Sequence, residues 1–122
     1  MSDKGKGVVL LANDLMLSST VGGFVLAEGL PFHNPSTASA VIELAGDNPG
    51  ILLIIDLETP GLDMIELAEN LPPETLTCAV AYGPHVHTAR LESAKQAGIG
   101  RVLSRGQFSS QASSLIKDWA AD

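Results

Sequence analysis

Ile51-Leu52-Leu53-Ile54-Ile55-Asp56-Leu57-Glu58-Thr59-Pro60-Gly61 decides the fold of this chain. Large apolar residues run together without interruption and stop at a carboxylate. Pro49-Gly50 precedes the run and Pro60-Gly61 follows it. An uninterrupted apolar run bounded by turn residues reads as a strand buried on both faces, the signature of a parallel sheet covered by helices. Asp56 then stands at the carboxyl end of a central strand, the edge where open α/β sheets place their ligands.

Working outward toward the N-terminus, residues 8–12 form a second apolar run, read as the first strand, ending at Asn13-Asp14. Leu17, Val21, Phe24 and Val25 follow at helical spacing, which predicts a helix over residues 15–28 stopped by Gly29. Leu30-Pro31-Phe32-His33 reads as an edge strand, because Pro31 has no N–H to donate to a ladder. Ala38, Val41, Ile42 and Ala45 give the next helix, with Ser36 as its cap and Gly46 as its stop. Toward the C-terminus, Asp63 and Glu66 have capping-box spacing ahead of Met64, Leu67 and Leu71, and Pro72-Pro73 ends that helix. Residues 76–82 read as the fourth strand, with Cys78 as a small buried side chain. Val86, Ala89, Leu91, Ala94 and Ala97 mark a helix closed by Gly98. Arg101–Ser104 is the fifth strand. Arg105-Gly106 is read as a loop, with a last helix from about Ser109 carrying Ala112, Leu115, Ile116 and Trp119. Strands alternating with helices predict an α/β fold: a five-stranded parallel sheet with right-handed crossovers and helices on both faces.

A length of 122 residues suggests one domain, placed at 8–122 after a polar, flexible start over residues 1–7. The net charge of -7 argues against direct contact with nucleic acid or an anionic membrane. The single cysteine excludes an internal disulfide, and no apolar run is long enough to cross a bilayer. The start lacks the apolar segment of a signal peptide, so a cytoplasmic location is expected.

In a parallel sheet Asn13, Asp14, Asp56 and Arg105 all leave the carboxyl ends of strands and converge at one edge. Oxygen ligands gathered there suit Mg²⁺, which takes one or two carboxylates plus waters and phosphate. Arg105 would add a fixed positive charge. A purely local account is equally open: Asp14 caps the first helix, Asp56 ends its strand, and Arg105 pairs with one of them. His85 and His87 lie near the same edge and are read first as solvent-exposed loop residues, since a metal cluster needs a third ligand. His33 beside the edge strand carries less information still.

Three segments resemble the receiver domains of response regulators, the CheY-like, flavodoxin-like fold. They are Leu11-Ala12-Asn13-Asp14, the stretch from Ile55 through Asp63, and Ala94-Lys95-Gln96-Ala97-Gly98 with Val102-Leu103-Ser104-Arg105. The resemblance runs over nearly the whole chain and implies the strand order 2-1-3-4-5. It also implies that Asp56 is the phosphoacceptor position. Asn13 and Asp14 would be the metal-binding acidic pair, with the backbone carbonyl of Glu58 as the third ligand. A signalling protein would be the partner, with a histidine kinase as the upstream candidate and a second copy of the chain as another. The surface of the last two helices and the fifth strand would carry the output, with His85, His87 and Arg90 as polar contributors.

The chain departs from the family pattern at several positions. Asn13 replaces an acid. Ala81, Tyr82 and Gly83 stand where a small hydroxyl residue is expected after strand four, and Tyr82 and Gly83 bracket that switch position. Val102 replaces the aromatic switch of strand five. Arg105 followed by Gly106 replaces lysine-proline, and a guanidinium places its donors differently from an ammonium. These departures predict a pseudo-receiver: a non-enzymatic signalling module that works through protein–protein contact, with an incomplete phosphorylation pocket and weak Mg²⁺ binding. The alternatives are a receiver phosphorylated on Asp56 with Mg²⁺, and a small-molecule binder or enzyme using the same edge.

Overall fold

The computed structural model describes residues 7–121. The polar start expected to be flexible lies, except for Gly7, outside the described residues. Gly7 itself is buried, and its carbonyl accepts from Leu52 N–H at 2.9 Å.

Elements follow in the order β1 Val8–Leu11, α1 Leu15–Ala27, β2 Phe32–His33, α2 Ala38–Asp47, β3 Leu52–Asp56, α3 Met64–Glu69, α4 Pro73–Cys78, β4 Val80–Gly83, α5 Thr88–Gln96, β5 Arg101–Ser104 and α6 Arg105–Ala121. The strands form one parallel sheet in the order β2-β1-β3-β4-β5, as the sequence predicts. Alternation along the strands sorts the core into two layers. Val9, Leu11, Leu53, Ile55, Leu57 and Ala81 pack on the side of α2, α3 and α5. Val8, Leu10, Leu52, Ile54, Val80 and Tyr82 pack on the side of α1 and α6, against Val21, Val25, Phe108 and Ile116.

Two helix ends use a glycine in the left-handed region. After α1, Gly29 at φ 73 lets its own N–H reach Leu26 and that of Leu30 reach Val25. After α5, Gly98 at φ 99 does the same toward Lys95 and Ala94. Both are the doubled C-terminal bond pattern that a left-handed residue permits.

Several expected boundaries move. The cap of α2 is Thr37 rather than Ser36; its side chain accepts from Ala40 N–H at 3.1 Å, and the helix passes Gly46 to Asp47. The segment read as the start of strand four is a helical turn, α4, so the crossover from β3 to β4 holds two helices. Pro73 sits at the head of α4, where its missing N–H costs nothing. Thr75, fully buried, donates to Pro49 O at 2.7 Å and ties the turn to the loop before β3. Cys78 is consequently exposed at the end of α4, not buried in a strand. Val86 is exposed ahead of α5, not on its buried stripe. The last helix begins at Arg105, four residues earlier than expected, because Ser104 and Gln107 form a reciprocal cap. Gln107 N–H donates to Ser104 Oγ at 3.1 Å, and Ser104 N–H donates to Gln107 Oε1 at 2.9 Å.

Candidate functional site: the carboxyl edge of the sheet

Asp14, Asp56 and Arg105 meet at one edge of the sheet. Asp14 follows β1 as the N-cap of α1. One carboxylate oxygen, Oδ1, accepts from Leu17 N–H at 3.2 Å. The other, Oδ2, is paired with the guanidinium of Arg105 at the head of α6. The Leu17 N–H at the cap lowers the Asp14 pKa most; burial opposes it, and Arg105 adds to the lowering. Asn13 lies beside it on the exposed surface.

Asp56 ends β3 and is only 4% exposed. Its Oδ1 accepts from Glu58 N–H at 2.8 Å, which turns the chain sharply after the strand. Burial raises its pKa, and the Glu58 N–H and Arg105 only partly offset that. The two carboxylates therefore couple to pH with opposite signs. Asp14 contributes stability that is present above the ordinary carboxylate range and lost as pH falls through it. Asp56 imposes a penalty that is absent below the unfolded value of about 3.9. That penalty is complete once pH exceeds the raised folded value. Asp56→Asn, which keeps an oxygen for the Glu58 N–H, is expected to melt at a higher temperature than the wild type at pH 7. The gap should close as pH drops toward 4. Calorimetry at stepped pH checks this; a lower melting temperature for Asp56→Asn at pH 7 would refute it.

Tyr82 is the register partner of Asp56 on β4. Its ring is fully buried and stacks on Phe108 of α6, with centroids 4.4 Å apart and planes at 9°. Its hydroxyl has no hydrogen-bond partner among the described residues. Burial pushes the phenol pKa up, and the charge of Asp56 is the next cause; Arg105 and Asp14 act on it too. Gly83, on the other side of the expected switch position, is buried against Leu57, and Val102 is half-buried on the opposite face of the sheet.

The sequence reading missed a second cluster. It assigned only the backbone carbonyl of Glu58 to the site. The Glu58 side chain instead accepts from Arg90 at 2.6 Å and meets His87 Nδ1 at 2.8 Å. Arg90 also donates to Leu57 O at 3.2 Å. This clasp fastens the loop after β3 to the start of α5, where His87 is the cap residue. His87 thus engages Glu58 rather than Asp56, and His85 is exposed. A cavity of about 440 Å³ opens beside the clasp, lined by residues including Glu58, Pro60, Met64 and Arg90 but not Asp56.

The donor set is a poor one for a divalent cation as it stands. Both oxygens of Asp14 are committed and Arg105 already brings positive charge to the place a metal would need. No group of three acidic, histidine or cysteine side chains arranged for a metal occurs among the described residues.

No family model and no curated protein matches this chain. Solved structures do. The receiver domain of a Pseudomonas aeruginosa sensor histidine kinase, solved with magnesium coordinated in its active-site cleft, superposes with a TM-score of 0.74 at 12% identity, covering 95% of this chain and 98% of that one. The receiver domain of a Saccharomyces cerevisiae response regulator, co-crystallised with its histidine phosphotransfer signalling protein, gives 0.73 at 15% identity, covering 94% and 88%. The NtrX receiver domain from Brucella abortus gives 0.72 at 14% identity, covering 93% and 98%. The chain has the fold of a response-regulator receiver domain over 93–95% of its length.

Proposed function

We propose that this chain is a receiver-type signalling module that binds a protein partner through a surface held in one conformation, and that Asp56 does not cycle through phosphorylation. The observation that carries this reading is the Asp14–Arg105 ion pair. A phosphoryl group on Asp56 needs a cation to offset its charge, and Mg²⁺ normally enters such a site through free carboxylate oxygens. Here the cation is a side chain, fixed at the head of α6 by the Ser104–Gln107 cap.

The receiver fold supports a signalling role, and one structurally similar receiver was captured on a phosphotransfer protein. Leu15 and Met16, 85% and 82% exposed just after Asp14, offer apolar contact area at the same edge. Val86 adds more near the start of α5. An equilibrium shifts only through contacts that differ between its two states, and neither Tyr82 nor Val102 offers the small-hydroxyl and swinging-ring contacts that receivers use. With Asp14 engaged by Leu17 and Arg105, Mg²⁺ binding is weak, and no catalytic activity of its own is assigned to the chain.

Two measurements test the reading. Intact-mass analysis after incubation with acetyl phosphate and Mg²⁺ is expected to show no phosphoryl increment on the wild type. A captured partner is expected to bind wild type, Asp56→Asn and Asp56→Ala with affinities equal within about 0.5 kcal/mol, the range of neutral surface changes. A tenfold loss, about 1.4 kcal/mol, combined with a phosphodonor-dependent gain in the wild type, would establish the phosphorylatable alternative instead.

A further inference from the structure

We infer that Tyr82 is the residue that closes the acyl-phosphate site, its ring and hydroxyl filling the space beside Asp56 that an incoming phosphoryl group requires. The inference rests on the reading that Asp56 does not cycle, and it adds to the Asp14–Arg105 pair a second, steric obstacle carried by one side chain.

Strand register makes Tyr82 the neighbour of Asp56, and alternation points both side chains to the α1–α6 face. The backbone between them is pinned, since Leu57 N–H donates to Tyr82 O at 2.9 Å. The ring cannot swing away, because Phe108 lies flat against it. The hydroxyl lies where Asp56, Arg105 and Asp14 all act on it electrostatically, which puts it among the charged groups of the site. The buried hydroxyl makes no hydrogen bond of ordinary geometry among the described residues, yet it lies close enough to the Asp56 carboxylate for that side chain to raise its pKa.

Phosphoryl transfer would require an oxygen of Asp56 to form a bond to phosphorus while the donor's bridging P–O bond breaks and its electron pair leaves with the acetate. Oδ1 is held by the Glu58 N–H, so the attack falls to Oδ2. A residue only 4% exposed, with Tyr82 paired beside it on the adjacent strand, leaves a donor little room for in-line approach. Arg105 alone would weaken metal binding; Tyr82 excludes the phosphoryl group itself. The two obstacles are separable by mutation.

The test is beryllofluoride labelling with Mg²⁺, followed by fluorine NMR, on wild type, Tyr82→Phe and Tyr82→Thr. Beryllofluoride binds a carboxylate oxygen as a phosphoryl mimic and needs no kinase. Tyr82→Thr is expected to form at least tenfold more adduct than the wild type, and the adduct should vanish in Tyr82→Thr/Asp56→Asn. Tyr82→Phe, which keeps the ring, is expected to remain unlabelled. Tyr82→Leu retains apolar bulk against Phe108 but stops short of Asp56; it replaces Tyr82→Thr if circular dichroism shows that variant unfolded. Folded Tyr82→Thr and Tyr82→Leu that both stay unlabelled would overturn the closure while leaving the non-cycling reading intact. Wild type labelled as strongly as Tyr82→Thr would overturn both. Wild type labelled and Tyr82→Phe unlabelled would also overturn the closure, since the hydroxyl would then be a phosphate-sensing donor.

Discussion

Gly100→Ala is expected to destabilise the domain by about 3 kcal/mol or more, at the upper end of overpacking effects. A Cβ at this position would lie 1.9 Å from Thr77 O and 2.8 Å from Thr77 C, both backbone atoms. Neither side can yield cheaply. Gly100 N–H donates to Leu76 O at 3.2 Å, and Arg101 N–H donates to Ala79 O at 3.1 Å, so the end of α4 and the start of β5 are stitched together at this point. The control is Gly23→Ala, in the exposed interior of α1 with nothing within 4 Å of the added methyl. That substitution should stabilise by roughly 0.5–1 kcal/mol through helix propensity and unfolded-state entropy. Urea titration of both variants separates the effects. A Gly100→Ala variant within about 1 kcal/mol of wild type, the centre of ordinary mutational effects, would show that the β5 entry is not as rigid as its hydrogen bonds imply.

Phe108→Ala is the second large effect, expected at about 3–5 kcal/mol for a buried aromatic truncated to alanine. Phe108 is 1% exposed and belongs to the core layer between the sheet and α1–α6. Its stacking on Tyr82 adds about 0.5–1.5 kcal/mol beyond area burial, so part of the loss should be absent when Tyr82 is already replaced. A double-mutant cycle with Tyr82→Leu reads that coupling directly. Strict additivity of the two substitutions would show that the rings are neighbours without mutual energy.

Much of this architecture could be read from the chain because the central strands announce themselves. Residues 8–11 and 51–57 are buried throughout, and an apolar run with no polar interruption has few other interpretations. The meeting of Asp14, Asp56 and Arg105 follows from parallel crossovers, whereas the order of the strands comes from the resemblance to receiver domains. The misreadings have local physical causes. Leu76, Cys78 and Val80 look like one alternating strand. The turn of helix over Pro73–Cys78 wins because Pro73 suits a helix start and Thr75 finds a buried acceptor at Pro49, a contact that no local pattern shows. Ser104 and Gln107 did carry a legible signal, the serine-x-x-glutamine spacing of a capping box, and attention to it would have started α6 at Arg105 and placed Phe108 in the core. The Glu58–His87–Arg90 clasp and the Tyr82–Phe108 stack join residues on separate elements, so only the folded chain displays them.

The two borders of the sheet bear on how this protein behaves at high concentration. On one side β2 is only two residues long. On the other, β5 spans four residues and opens with an exposed arginine. Short borders, one of two residues and the other begun by charge, are the devices that keep a sheet from being extended by a neighbour's backbone. With a net charge of -7 setting copies against one another, fibrils built from the native sheet are disfavoured at both ends, and the millimolar samples that fluorine NMR needs should stay clear.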